Sequence, residues 1–334
     1  MTIPAVEGLE GAVEAPTEET GPAVAGQSPW KLALGRLRRD RLTMISVWVV
    51  VAYVLMALIA PILQSTGVID PFTFHLNLLN IDLGGLPNGK FGGISWHHPL
   101  GVVPSSGSDV LARLMLGASY SLMIAISASL LTVVIGTIMG IVAGFSGGWV
   151  DAGIGRFIDL VLSFPQTLML LSLSGIAIDF LVHDVGLSDG PLANGSYVVV
   201  VLAAFGWPPV ARVIRGQVLS LREREFVEAA RLFGASRRRL YFIEILPNVW
   251  APVLIYFTLL MPAYVSAEAA LSYLGVGIKP PSPTLGNVLT DSVQYYQSDF
   301  TYFLVPGLAI AIIVVCFNLV GEGLRDALDP KSSR

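Results

Sequence analysis

The sequence predicts an all-α membrane protein with six transmembrane helices. Of its 334 residues, 54% are hydrophobic and only 13% are charged, and the mean hydropathy is +0.69. Soluble domains carry roughly 25% charged residues, so this composition argues against a soluble enzyme, a disordered chain or a nucleic-acid-binding protein. Six apolar runs approach the ~20 residues that cross ~30 Å of hydrocarbon. They are continuous rather than alternating, which favours helices over the strands of a barrel.

Residues 1–30 differ in composition from the rest of the chain. They contain five glutamates and four prolines but no lysine or arginine. A secretory signal needs a basic start followed by an apolar stretch, and this segment has neither. We therefore expect residues 1–30 to be a disordered acidic tail.

The apolar runs define the predicted spans in chain order. The first two carry no charge, the third contains Asp159 and Pro165, and the fifth contains Glu268. The fourth is short, and we expect it to end at Trp207-Pro208-Pro209. The six spans are Met44–Leu63, Tyr120–Phe145, Phe157 to about Leu181, Tyr197–Val210, Trp250–Leu274 and Tyr302–Val320.

The basic residues predict the orientation of the spans. Of the 20 lysines and arginines, 17 lie on one side, and eight of these fall between Arg212 and Arg239. Only Lys90, Arg113 and Lys279 fall on the other side. Because cytoplasmic loops carry the excess of basic residues, we expect both termini, including the acidic tail, to be cytoplasmic.

Two local patterns predict contacts between helices. Gly136, Gly140 and Gly144 recur every four residues, which predicts a close-packing face for another helix, within the chain or across a subunit boundary. Asp159 follows Arg156 by three residues at the edge of the third span, which predicts a local ion pair.

The long external segment Gln64–Asp109 contains His75, His97 and His98. His97 and His98 are adjacent, so their side chains need not converge, and His75 is distant in sequence. A metal site needs convergent ligands. We therefore expect no metal site.

The cytoplasmic loop 212–248 predicts a helix–turn–helix elbow. Phe226, Ala230 and Phe233 form an apolar stripe at helical spacing. Gly234 suits a left-handed turn, Ser236 can cap a second helix, and Pro247 ends that helix. On the residues alone, an elbow that binds a cytoplasmic partner and an interfacial helix whose arginines meet lipid phosphates are equally acceptable.

A family resemblance favours the first alternative. Glu228-Ala229-Ala230, then three residues, Gly234, and Leu246-Pro247 twelve residues later resemble the EAA signature of permease subunits in bacterial ABC importers. Further stretches resemble the C-type permease of dipeptide and oligopeptide importers. These stretches are Gly144–Asp151, Trp207–Ser236, Ala267–Pro281, Gly286-Asn287 and Gly321–Pro330.

The resemblance implies an architecture with a first transmembrane helix and external loop at 31–110 and a MetI-like ABC permease core at 111–331. It also implies that the EAA loop, residues 212–248, carries the coupling helix that contacts a cytoplasmic ATPase. The residues expected at that contact are Glu228, Ala229, Ala230, Phe233, Gly234, Leu246 and Pro247.

The resemblance further implies the partners and the cargo. We expect a second homologous permease, two cytoplasmic ABC ATPase subunits and an extracytoplasmic substrate-binding protein, all acting at the bacterial plasma (inner) membrane. Dipeptides or oligopeptides are the expected cargo. Nickel and glutathione are the alternatives, because related importers carry them.

We expect no catalysis in this chain. Gly84–Lys90 fits the first part of a phosphate-binding loop, but Phe91 stands where Ser or Thr must contact Mg²⁺, and no predicted strand precedes the segment. The chain is therefore expected to bind no cofactor of its own. ATP and Mg²⁺ would be bound by the partner ATPase subunits.

Glu268 is a charged residue within a predicted span, where an unpaired charge costs about 2.5–3.5 kcal/mol. It either lines the substrate path or locks two helices together through hydrogen bonds. A different class of protein, a stand-alone secondary transporter, would need several such ionisable groups near the midplane. Only Glu268 qualifies.

Overall fold

The computed structural model describes residues 35, 37, 38 and 40–328. The predicted acidic tail, residues 1–30, lies outside the described residues. So do five of the basic residues used for the orientation: Lys31, Arg36, Arg39, Lys331 and Arg334.

Within residues 40–328, six helices are long and apolar enough to cross a membrane, in agreement with the prediction. They are α1 (Arg41–Ser65), α2 (Val110–Ser146), α4 (Gln166–His183), α5 (Pro191–Leu221), α8 (Trp250–Tyr273) and α10 (Phe300–Leu328). Four shorter helices connect them: α3 (Gly148–Ser163), α6 (Glu225–Leu232), α7 (Arg237–Arg239) and α9 (Leu285–Val293). The segment between α1 and α2 contains two short antiparallel strands, β1 (Leu79–Asn80) and β2 (Leu86–Pro87).

The predicted third span, Phe157 to Leu181, is wrong as a single helix. The helix is interrupted at Phe164, whose backbone is extended (φ −86°, ψ 132°) before Pro165. The proline ring disfavours helical geometry at the residue before it. The transmembrane segment is therefore α4, and α3, at roughly 24 Å, is too short to cross the hydrocarbon.

The predicted end of the fourth span at Trp207–Pro209 is also wrong. Helix α5 continues through Pro208 and Pro209 to Leu221, so Arg212 and Arg215 belong to this helix and not to a loop. The prolines remove two backbone N–H donors, but packing against neighbouring helices can hold a membrane helix through such a gap. Here Trp207 and Pro208 are buried, and Trp207 stacks on Phe157 of α3 at 5.7 Å.

Helix α3 is attached to α5 by two ion pairs. The Arg215 guanidinium donates to Asp151 at 2.7 Å, and its hydrogen bond lowers the pKa of that carboxyl below its ordinary value. Asp159 accepts from Arg212 at 2.6 Å. The predicted local pair between Asp159 and Arg156 is therefore wrong, because the longer α5 brings Arg212 to α3.

The glycines of α2 pack against α5. A Cβ at Gly136, Gly140 or Gly144 would lie 2.7–2.8 Å from the Cβ of Val210, Ile214 or Val218, respectively. The glycines of α2 and the residues that they contact on α5 advance by four residues in the same order. Helices α2 and α5 are therefore parallel and in close contact. The predicted small-residue face is confirmed, and its partner is a helix of the same chain. We call this contact the glycine seam.

The two ends of the bundle carry different elements. The elbow, residues 222–247, lies at the end that holds the C-termini of α2 and α5, which we call the elbow end. Thr43 of α1 contacts Gly323 of α10, and Gly321 of α10 contacts Leu259 in the first half of α8. The first and last spans therefore also have their outer termini at the elbow end. The N-termini of α2 and α10 and helix α9 form the far end.

The glycine seam gives the first testable prediction. Gly140→Ala places a methyl group against Ile214 and the carbonyl of Ala211, so it should lower stability by about 1–3 kcal/mol. Gly216→Ala on α5 is the matched control, because a Cβ there meets nothing within 4 Å. Thermal unfolding of the two variants in detergent measures the difference. Equal melting temperatures for both would contradict the close approach of the two helices.

Candidate functional site

The elbow has the helix–turn–helix form that the sequence predicts. Helix α6 ends at Leu232. Gly234, two residues later, has a φ of +76°, the left-handed conformation that glycine adopts most readily and that lets the chain turn here. Ser236 then accepts a hydrogen bond from the backbone N–H of Arg239 at 3.4 Å and caps α7. The chain continues through a wide helical turn over Leu240–Ile245 and a 3-10 turn over Leu246–Asn248, which contains Pro247, before α8 begins.

The packed face of α6 differs from the predicted apolar stripe. Val227 is fully buried in a cluster with Leu240 and Ile245, and Ala230 packs against that cluster. Phe226 is exposed and Phe233 is 91% exposed, so neither belongs to the packed face. The helix has only two turns, and docking it through Val227 and Ala230 turns both phenylalanines outward.

The outer surface of the elbow is apolar at its tip. Leu232 is 84% exposed beside Phe233, and Glu228 and Ala229 are also exposed. Large exposed side chains at a helix end are typical of a surface that binds another protein. The elbow therefore presents a small apolar tip with a carboxylate beside it.

The other predicted coupling residues are divided between the two faces. Gly234 and Pro247 are exposed, whereas Ala230 and Leu246 are half-buried and face the protein. The geometry brings all seven predicted residues to the same elbow. It places Glu228, Ala229, Phe233, Gly234 and Pro247 where a partner can reach them.

The elbow is anchored to the end of α2. The Arg231 guanidinium lies over the Phe145 ring, 4.7 Å from its centroid, a cation–π distance. The Tyr241 ring meets Phe145 edge-on at 5.1 Å, and its hydroxyl lies 3.2 Å from the Ser146 hydroxyl. Arg222 donates to the carbonyl oxygen of Gly144 at 3.1 Å. Both sides of the elbow are thus fixed to the helix that forms the glycine seam.

Glu268 is a buried, fully hydrogen-bonded carboxyl. Its side chain accepts from Ser121 of α2 and from Ser272 of α8, both at 2.8 Å, and the residue is 1% exposed. The Ser121 hydroxyl oxygen also accepts from the backbone N–H of Leu285 at 3.0 Å. The carboxyl therefore joins α2, α8 and α9, a geometry that favours helix locking over a lining role in the substrate path.

The packing around Glu268 leaves almost no free space. A Cβ at Gly286 would lie 2.6 Å from Cα of Ala269, and one at Gly117 would lie 3.0 Å from the carbonyl carbon of Thr284. Thr284 and Asn287 cap α9 reciprocally. The start of α9 is thus fixed against α2 and α8.

The far end contains two groupings that sequence reasoning missed. His75 and His98 have ring centroids 5.5 Å apart, and Nδ1 of His98 lies 2.7 Å from Asp109, so His75 does converge with His98. Within residues 40–328, however, no group of three His, Cys, Asp or Glu side chains is arranged to hold a metal ion. Arg113 and Asp291 form the second grouping, at 3.7 Å. In both groupings the residues are too far apart in sequence for a local pattern to reveal them.

Comparison with known proteins shows what the chain is similar to. The family model for the inner membrane component of binding-protein-dependent transport systems matches residues 136–334. A model for the N-terminal transmembrane domain of oligopeptide transport permease C matches residues 28–77.

Three relatives match along most of their length. The dipeptide transport system permease protein of Alkalihalophilus pseudofirmus is 33% identical over 91% of this chain and 90% of its own. The oligopeptide transport system permease protein of Escherichia coli is 33% identical over 92% of this chain and 93% of its own. The glutathione transport system permease protein of Salmonella typhimurium is 35% identical over 91% of each chain.

The solved structures that match include one that supports the fold. An inward-facing form of the MetNI methionine ABC transporter matches with a TM-score of 0.50 at 19% identity, covering 66% of this chain and 97% of that one. At this identity the match shows a shared fold of the transmembrane core.

The Glu268 network gives a second prediction. Glu268→Gln keeps a group of the same shape between Ser121 and Ser272, so its melting temperature should stay close to that of the wild type. Glu268→Leu leaves the buried Ser121 hydroxyl and the half-buried Ser272 hydroxyl without this acceptor and should cost about 1–3 kcal/mol. Glu322→Leu, at an exposed glutamate of α10, is the control. If Gln and Leu are equally destabilising, the hydrogen-bond account of Glu268 is wrong.

Proposed function

The chain belongs to the family of inner-membrane permease components of binding-protein-dependent transport systems, and on that premise we propose that it is one transmembrane half of an ATP-driven peptide importer. It is a multi-pass membrane protein with the all-α permease fold. We propose that it pairs with a second permease, takes energy from two ABC ATPase subunits, and receives cargo from an extracytoplasmic binding protein.

The observation that carries this proposal is the anchored elbow with an exposed tip. Leu232 and Phe233 are largely free of contact with this chain, while Arg231 in the same turn is held on Phe145. An ATPase subunit that binds the tip can therefore move α2 through a fixed attachment. The glycine seam passes that movement to α5, and rotation of the two helices would alternately expose a path through the membrane.

The orientation that we propose for the chain in the membrane rests on the positions of its arginines. The eight arginines from Arg212 to Arg239, at the end of α5 and in the elbow, lie at the elbow end, and the outer termini of α1 and α10 lie at that end too. Cytoplasmic segments carry the excess of basic residues, so we propose that the elbow end and both termini face the cytoplasm.

The proposed cargo is a dipeptide or an oligopeptide. This choice is supported by the names of the dipeptide and oligopeptide permeases among the relatives, which match over 90% or more of their own length. Glutathione is the second candidate, because a glutathione permease matches over a comparable share. Uptake of radiolabelled dialanine, trialanine and glutathione by cells with and without the gene would separate the two.

The exposed tip of the elbow gives the third prediction. Phe233→Asp should reduce ATP-dependent peptide uptake by about tenfold or more, because it places an unpaired carboxylate in an apolar contact. Glu228→Arg should have the same effect by reversing the charge beside the tip. Uptake and ATP hydrolysis are measured in proteoliposomes that contain the permeases, the ATPases and the binding protein.

Ile81→Asp is the matched control for the ATPase contact, because Ile81 is 85% exposed at the far end, away from the elbow. It should insert normally and, in complexes that lack the binding protein, hydrolyse ATP at the wild-type rate. Unchanged uptake by Phe233→Asp and Glu228→Arg would refute the coupling role of the elbow. Uptake by this chain alone, driven by an ion gradient, would instead identify a secondary transporter.

A further inference from the structure

The far end of the bundle contains a cavity of about 540 Å³ that the coupling mechanism does not use. It lies between the segment that precedes α2, helix α9 and the start of α10. Arg113, Asp291 and Tyr302 supply its polar groups, and Phe72, Phe74 and Tyr295 contribute aromatic walls. Its volume is in the range of about 300–1,000 Å³ that is typical of small-ligand pockets.

Arg113 is a buried cation with few partners. The residue is 8% exposed, and its only salt bridge within the described residues is with Asp291 at 3.7 Å, longer than a hydrogen bond. Its Nε has no hydrogen-bond acceptor among the described residues. A guanidinium carries five N–H donors, and burying them without acceptors is costly. Arg113 therefore has donors free for an additional acceptor.

Tyr302 provides a second unused donor. Its ring is packed at the start of α10 and the residue is 1% exposed, yet its hydroxyl has no hydrogen-bond partner among the described residues. A buried tyrosine hydroxyl normally finds a partner. Because Tyr302 lines the same cavity as Arg113, one ligand can satisfy both.

Asp291 adds an acceptor at the mouth of the cavity. Its side chain is 40% exposed, so a ligand can reach the carboxylate. Burial raises the pKa of Asp291, and the Arg113 guanidinium acts in the opposite direction. The cavity thus combines two donors, one accessible acceptor and aromatic walls.

We propose that this cavity is a binding subsite for a short peptide with a free carboxyl terminus. Arg113 and Tyr302 donate to the peptide carboxylate, and Asp291 accepts from a peptide N–H or ammonium group. The aromatic and proline side chains around them contact the peptide side chains. The assignment of a peptide, as opposed to another carboxylate, rests on the proposed function.

The subsite is remote from the elbow. Arg113 and Phe145 are on the same helix, and their separation in sequence corresponds to roughly 48 Å along its axis. Changes in the cavity therefore leave the ATPase contact surface untouched, and the two sites can be tested separately.

The test uses the purified complex of both permeases and the ATPases, without the binding protein, so that this chain's own recognition is measured. The probe is trialanine with a photoreactive diazirine, and the readout is covalent labelling of this chain. Trialanine and trialanine amide compete with the probe. The free acid should compete about three- to tenfold better than the amide, the range expected for losing one or two hydrogen bonds.

Tyr302→Phe is the decisive variant, because the hydroxyl that it removes has no partner in the protein. Its melting temperature should not fall, whereas labelling should weaken about three- to tenfold. Arg113→Gln should abolish the discrimination between the free acid and the amide. Lys90→Gln, at an exposed basic residue outside the cavity, should label as the wild type does.

Wild-type labelling by Tyr302→Phe, or equal competition by the acid and the amide, would overturn the subsite. If the cavity variants instead lose affinity for the peptide-free binding protein while labelling stays intact, the cavity is a protein-docking surface and the proposal is wrong. Neither result affects the proposed function, which would fail only if uptake proved independent of ATP or insensitive to the elbow variants.

Discussion

The close approach of α2 and α5 holds the helix bundle together. Three glycines at four-residue spacing allow Val210, Ile214 and Val218 to lie against the backbone of α2. Packing of this kind needs no polar bond, and small residues are what allow two membrane helices to approach so closely. It also keeps α5 helical through two consecutive prolines, because the helix is held from outside and not only by its own hydrogen bonds.

The seam gives the two ends of the molecule a common support. At the elbow end, Arg231 and Tyr241 attach the elbow to Phe145 on α2. Toward the far end, the Ser121 hydroxyl of the same helix donates a hydrogen bond to Glu268 and accepts one from the backbone N–H at the start of α9. Helix α2 thus links the exposed tip of the elbow with the region around the far-end cavity. This is the arrangement that an importer driven from one side of the membrane requires.

Much of this architecture could be predicted from the sequence, because hydropathy, glycine spacing and turn residues are local signals. The six spans, the elbow turn at Gly234 and the small-residue face were predictable in this way. The prolines, in contrast, misled the prediction in two places. The helix is interrupted before Pro165, where the sequence predicts one continuous span, whereas Pro208 lies within α5, where the sequence predicts the end of a span. Only tertiary packing distinguishes these two cases. Arg113 and Tyr302 meet at one cavity through the fold alone, so no sequence pattern could reveal that site.

If the glycine seam transmits movement of the elbow, α2 and α5 move as one unit. Spin labels at Met123 of α2 and at Gly216 of α5, in a chain whose single cysteine, Cys316, is replaced by serine, report on this directly. A reference pair between Met123 and the second permease shows whether the complex has moved. We expect ATP to change the distance distribution of the reference pair and to leave that of the α2–α5 pair unchanged. An α2–α5 distribution that shifts or splits with ATP would contradict the account.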